Sequence, residues 1–164
     1  MTGQGQLQAQ HAGRLLRERI PKDDKIAFYY SPYMRTKETL DEVMSNFEGH
    51  SIISCLEEPR ISEQQIGNFQ NVEEVLSAKR ERSKFGRFYY RFPKGEAGLD
   101  VYSRVSSFIP TLIRDCIRHR ESGVNLDNLN VVSKCHFACV DTALLLSRLT
   151  SSFLTITYRA TVQS

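Results

Sequence analysis

The sequence predicts an α/β fold: a doubly wound, mostly parallel sheet with helices on both faces. Three observations point there. Short apolar runs at 26–30, 51–56 and 129–133 have the length and composition of strands. Between and around them lie longer stretches of helical periodicity, so strands and helices alternate along the chain. The 164 residues, 40% hydrophobic and 25% charged, suit a single globular domain with a sizeable core.

Taken in order, residues 5–20 form an amphipathic pattern with Leu7, Ala9, Leu15, Leu16 and Ile20 as apolar points, and Pro21 ends it. The run Ile26-Ala27-Phe28-Tyr29-Tyr30 is a strand, stopped by Ser31-Pro32. A helix is expected over 33–48, closed by Gly49, and a short strand over 51–56. Residues 60–70 read as a loop with a turn at Gly67-Asn68, and 71–84 as a highly charged helix. The segment from Phe85 to Glu96 is an aromatic and basic loop. Residues 99–120 form the longest helix, with Val101, Val105, Phe108, Leu112, Ile113 and Ile117 at three- and four-residue spacing. After the strand 129–133 the chain becomes rich in Ser, Thr and Leu, with a helix expected over 142–149 and a strand over 153–158.

Composition narrows the function classes. A net charge of +3 does not argue for nucleic acid. No apolar stretch is long enough for a membrane helix, and the polar, Gln-rich start does not resemble a signal peptide. Four cysteines, at 55, 116, 135 and 139, are too few for a disulfide framework, so a reducing, cytoplasmic setting is expected. Cys135-His136-x-x-Cys139 places three soft ligands close together, but structural zinc sites take four and no second cluster exists, so no metal is expected.

The most informative stretch is Tyr30-Ser31-Pro32-Tyr33-Met34-Arg35-Thr36. A strand gives way at once to a helix whose first turn carries an arginine. Helix N-termini present free N–H groups and partial positive charge, and a guanidinium adds a fork of donors, so this turn suits phosphate. Read alone, it is more often an ordinary surface arginine at a βα turn. Glu63, read alone, is a loop glutamate able to pair with Arg60 or Lys79. Arg87 and Arg91 read either as a basic surface interleaved with aromatic packing or as anion contacts.

Several patterns then line up. Thr2-x-x-Gly5-x-x-Gln8-Ala9-x-x-x-Gly13 opens the chain, followed by Ser31-Pro32-x-x-Arg35-Thr36 and Glu63-x-x-x-Gly67-Asn68-Phe69-Gln70. Then come Phe85-Gly86-Arg87-Phe88-Tyr89-Tyr90-Arg91-Phe92-Pro93, Gly95-Glu96, Asp100-Val101-x-x-Arg104 and Asn130-Val131-Val132-Ser133. Together these resemble the histidine phosphatase superfamily, on its phosphoglycerate-mutase-like branch of plant and fungal type, over residues 1–133. The resemblance implies phosphoryl transfer through a phosphohistidine on a small phosphomonoester, without metal or other cofactor. It implies that Arg35 lines the phosphate pocket, Glu63 is the proton donor and acceptor, and Arg87 and Arg91 meet substrate. Gly95-Glu96 and Asp100 to Arg104 take the place of a family segment that sets the long helix.

Two departures qualify that expectation. The family's Arg-His-Gly motif would precede Thr2, on a first strand absent from these residues, so the chain is expected to begin about 40 residues into a domain of ordinary length. The family's second histidine would follow Ser133, where Lys134-Cys135 stand, and His136 comes two positions late. From Lys134 the resemblance stops, so 134–164 is expected to be a divergent tail, as from altered splicing. The 164-residue chain is therefore expected to be inactive, a partial domain; the alternative is a non-catalytic fragment that binds phosphate, another anion or a protein. If the missing first strand lay between 26–30 and 129–133, both would lose a partner and the sheet would show an unpaired edge.

Overall fold

Lys25–Tyr30 forms β1, the inner strand around which the rest assembles in the computed structural model of this chain; residues 1–49, 51–69, 71–134 and 155–157 are described. Its partners are β2 (Ser51–Glu57) on one side and β3 (Leu129–Lys134) on the other; β4 (Thr155–Thr157) follows β3, giving the order β2-β1-β3-β4. All three pairings are parallel. The register of β1 with β3 is unbroken from Lys25 opposite Leu129 to Tyr30 opposite Lys134. With β2 it slips once, Ile26 facing Ile52 and Ala27 facing Ser54, so Ile53 is the extra residue of a bulge.

This pairing corrects one expectation. Residues 26–30 and 129–133 are direct neighbours, so no gap separates them and β1 has hydrogen-bonding partners on both sides. Among the described residues β2 is one edge of the sheet, and there Ile52 and Leu56 reach solvent.

Alternation along β1 sorts the core into two layers. Ile26 and Phe28 point to one face and meet Leu16, Ile20, Leu40, Phe47 and Val132. Leu16 lies on α1 (Gly3–Arg19) and Leu40 on α2 (Met34–Met44). Ala27 and Tyr29 point to the other face and meet Ile61 and Phe108, the latter on α4 (Gly98–Glu121). The fold is thus an α/β sheet covered by helices on both faces. The helix α3 (Val72–Phe85) is pinned apart from these layers through Ala78, which packs on Tyr90 and Phe92.

Local chemistry explains the element ends. Thr2 caps α1 by accepting the Gly5 N–H at 3.2 Å, and Asn71 caps α3 by accepting from Glu74 N at 2.8 Å. Helix α1 lies so close to α2 that a Cβ on Gly13 would stand 2.9 Å from the Val43 carbonyl oxygen. The long helix starts where Asp100 accepts the Ala97 N–H at 2.6 Å, and it continues through Pro110. The strand expected over 153–158 is present as Thr155–Thr157. The helix expected over 142–149, His136 and the Cys135-His136-Cys139 cluster lie outside the described residues.

Candidate active site

The sheet is parallel, so the carboxyl ends of β1, β2 and β3 share one edge. From β1 the chain moves to β2 on one side, while β3 stands on the other. Such a reversal opens a crevice at the carboxyl edge, the usual place for a ligand in open α/β sheets. Arg35 and Glu63 both lie there: Arg35 in the first turn of α2, just beyond β1, and Glu63 in the loop that follows β2.

The two side chains meet. Arg35 donates through Nη2 to Glu63 Oε2, forming an ion pair. The guanidinium carbon of Arg35 also sits 4.4 Å from the ring centroid of Tyr33, a cation–π contact. The Tyr33 hydroxyl in turn accepts Gln65 Nε2 at 2.6 Å. Arg35 remains largely exposed and Glu63 half-buried, so the pair faces solvent. Of the two pairings the sequence offered for Glu63, Arg60 is instead committed elsewhere, donating to Glu58 at 2.7 Å and 2.6 Å.

The turn into α2 contributes one more group. Ser31 is 1% exposed, and among the described residues its Oγ has no hydrogen-bond partner. Buried hydroxyls are normally satisfied, because an unmade bond leaves the full desolvation cost in place. An orphaned hydroxyl between the end of β1 and the start of α2 therefore fits a site that accepts or donates to a polar ligand. In the sequence Ser31 reads as a strand stop and as the first residue of Ser31-Pro32-x-x-Arg35-Thr36; its burial is not legible there.

Below the pair, the loop after β2 is tied to α4. Glu58 is buried, and Arg60 bridges it to Ser107 O at 2.9 Å and Thr111 Oγ1 at 3.0 Å. Burial works to raise the Glu58 carboxyl, but hydrogen bonds from the Arg60 side chain and N–H prevail and hold it below its ordinary value. Arg104, on α4, donates to the Arg60 and Glu63 carbonyls at 2.6 Å and 3.1 Å. It also grips both oxygens of Glu96, at 3.0 Å and 3.1 Å.

Arg87 and Arg91 do not join Arg35 in a contact. Arg91 donates to Asp100 at 2.7 Å and to the Gly95 carbonyl at 3.3 Å, so it braces the aromatic loop against α4. The backbone N–H of Ala97 and then the Arg91 hydrogen bond hold the Asp100 carboxyl below its usual value. Arg87 is exposed, its backbone packed against Gly98 at the start of α4. The loop itself is aromatic packing: Tyr90 and Phe92 are buried at a 5.3 Å centroid separation, whereas Phe85 and Tyr89 are exposed. Among the described residues no group of three or more His, Cys, Asp or Glu side chains is gathered to hold a metal, and no helix is long and apolar enough to cross a membrane.

The sequence profile of the histidine phosphatase superfamily (branch 1) matches residues 1–143. The chain belongs to that family. This histidine phosphatase family member is 41% identical over 144 residues to the phosphoglycerate mutase-like protein AT74H of Arabidopsis thaliana, an alignment covering 83% of the chain and 51% of the relative. It is 45% identical over 125 residues to AT74 of the same plant, covering 73% of the chain and 40% of the relative. The family member described here thus spans about half, or less, of the length of the curated relatives it matches. A shorter match, 50% identical over 58 residues, is to the broad-range acid phosphatase DET1 of Saccharomyces cerevisiae, covering 35% of the chain and 17% of that protein.

Solved structures agree on the fold. A mycobacterial glucosyl-3-phosphoglycerate phosphatase in complex with inorganic phosphate superposes with a TM-score of 0.65 at 19% identity, covering 90% of this chain and 69% of that one. Phosphoglycerate mutase from Bacillus anthracis superposes at 0.63 and 19% identity, covering 92% and 69%. The phosphoglycerate-mutase-like α/β architecture expected from the sequence is the one present.

Proposed function

We propose that this chain holds the phosphoryl group of a small phosphorylated metabolite, or free phosphate, at the carboxyl edge of its sheet. Arg35 and the first turn of α2 supply the charge and donors, Ser31 Oγ an additional polar contact, and Glu63 the family's proton donor and acceptor. Arg87 and Arg91 meet the remainder of the substrate. Arg87 is the better placed of the two, because Arg91 is engaged with Asp100. By descent the reaction is transfer of phosphate through a phosphohistidine to water, in keeping with the phosphatases among its relatives and fold neighbours.

The 164-residue polypeptide itself binds without turning over. Neither Arg-His-Gly nor Ser-His-Gly occurs among its residues, and loss of a covalent nucleophile removes the covalent path. Residues 1–133 carry the family site, and 134–164 form a divergent tail. The setting is a reducing, cytoplasmic one, in keeping with four cysteines too sparse for a disulfide framework.

The observation that carries this reading is the meeting of Arg35 and Glu63 at the carboxyl edge of the sheet, in a chain of the histidine phosphatase superfamily. Incubation with a chromogenic aryl phosphate, together with phosphate and vanadate titration, tests it. Saturable anion binding without release of the aryl alcohol is the expected result. Sustained turnover contradicts the inactivity, and absence of any binding contradicts the site.

A further inference from the structure

Arg35 already carries an anion: the carboxylate of Glu63. That carboxylate is not held by Arg35 alone. The loop 60–65 is pinned from beneath, and each pin leads to one pair of side chains at the start of α4. Arg104 Nη1 donates to the Arg60 carbonyl at 2.6 Å, and Nη2 to the Glu63 carbonyl at 3.1 Å. Glu96, gripped by Arg104 at 3.0 Å and 3.1 Å, accepts the Gln65 N–H at 2.9 Å through its carboxylate. The Glu96 backbone then exchanges bonds with the same loop, its N–H donating to the Gln65 carbonyl at 2.7 Å and its carbonyl accepting Gln64 Nε2 at 2.9 Å. The clamp reaches the far side of the site as well, since Gln65 Nε2 donates to the Tyr33 hydroxyl that stands next to Arg35.

We propose that Arg104 and Glu96 are positioning residues that hold the Glu63 carboxylate on Arg35 as a built-in competitor, which an incoming phosphate must displace. This rests on the phosphate-binding reading given above. The physical logic is charge balance: Glu63 engages Arg35 through Nη2, a donor that a bidentate phosphate would need. Arg104 is the centre of the clamp because one planar side chain satisfies two carbonyls and a carboxylate at once, which a lysine cannot reproduce. The displacement is thermodynamically modest because the pair is solvent-exposed, and exposed pairs contribute little.

The test is calorimetric titration of inorganic phosphate into the full chain and its variants. Glu63→Gln removes the competing charge and is expected to tighten phosphate binding by about two- to fivefold, the range an exposed ion pair supports. Arg104→Ala releases the loop and is expected to shift affinity in the same direction, and its effect is expected to vanish in the Glu63→Gln background. That vanishing is the readout a purely structural role does not give. Glu96→Gln provides a second way to loosen the clamp if Arg104→Ala fails to fold, with the same expectation. Equal phosphate affinity in wild type and Glu63→Gln overturns the competition while leaving the binding site in place. Weakening by Arg104→Ala, or by Glu96→Gln in its stead, to the same extent in both backgrounds overturns the positioning role. No phosphate binding by any variant, Glu63→Gln included, overturns both this inference and the reading beneath it.

Discussion

Ser31 and Glu58 show how differently buried polar groups behave near one sheet edge. Ser31 Oγ is buried without a partner among the described residues, a cost the fold carries. Ser31→Ala removes that cost, so it is expected to leave thermal stability unchanged or raise it, while weakening phosphate binding; a loss of stability with intact binding would assign the hydroxyl to the fold instead. Glu58 is the opposite case, a buried carboxylate satisfied by the Arg60 fork and N–H. Its folded-state value is lowered, so its stabilising contribution is present above the unfolded carboxyl range and is lost as pH falls through the lower folded value. Asp100 is lowered too, with the same sign. Melting temperature is therefore expected to fall on acidification below about pH 4, where free Glu and Asp side chains titrate. Glu58→Gln is expected to melt lower at neutral pH, with a flatter acid limb. An unchanged acid limb in that variant would rule Glu58 out as a source of the pH dependence.

Among the elements, the join between the Glu63 loop and the aromatic loop depends on two glycines. Gly67, at φ +88°, would place a Cβ 2.2 Å from the Pro93 carbonyl oxygen, and Gly95 would place one 2.5 Å from the Gln65 carbonyl oxygen. Both obstacles are backbone atoms, which cannot swing aside as a side chain can. Gly67→Ala or Gly95→Ala is expected to lower the melting temperature by about 3 °C or more, the shift a loss of ~1 kcal/mol gives in a chain of this length; Gly3→Ala, with open space around it, serves as the control. Periodicity and breakers located the elements well: α1 ends just before Pro21 and α4 runs through Pro110, as the apolar spacing required. Helix α2 stops at Met44 and not near residue 48, because Asn46 Nδ2 turns back to the Glu42 and Val43 carbonyls and Phe47 drops into the core. Such long-range burial leaves no mark in a local pattern. The placement of β3 directly beside β1 was equally hidden, since strand order is a property of the whole sheet. Of the candidate site, Arg35 and Glu63 were readable as residues, but neither their contact across 28 positions nor the bond from Arg91 to Asp100 was.

At the scale of the molecule, the sheet has an exposed flank. Among the described residues the β2 strand pairs only with β1, and Ile52 and Leu56 on it are 39% and 45% exposed. An open strand edge carrying apolar side chains invites pairing with another copy. Ile52→Lys and Leu56→Lys are expected to slow concentration-dependent aggregation on heating, read by light scattering, with little change in melting temperature; equal scattering by both variants and wild type would place the sticky surface elsewhere. Family membership, the parallel sheet and the paired Arg35 and Glu63 then converge on one claim, that the carboxyl edge retains an anion site centred on Arg35. Calorimetric titration of inorganic phosphate into the wild-type chain and Arg35→Ala tests that claim most directly. The account predicts saturable one-site binding that falls at least about tenfold in the variant, as loss of a charge-assisted bidentate contact implies. Equal phosphate affinity in the two proteins would contradict it.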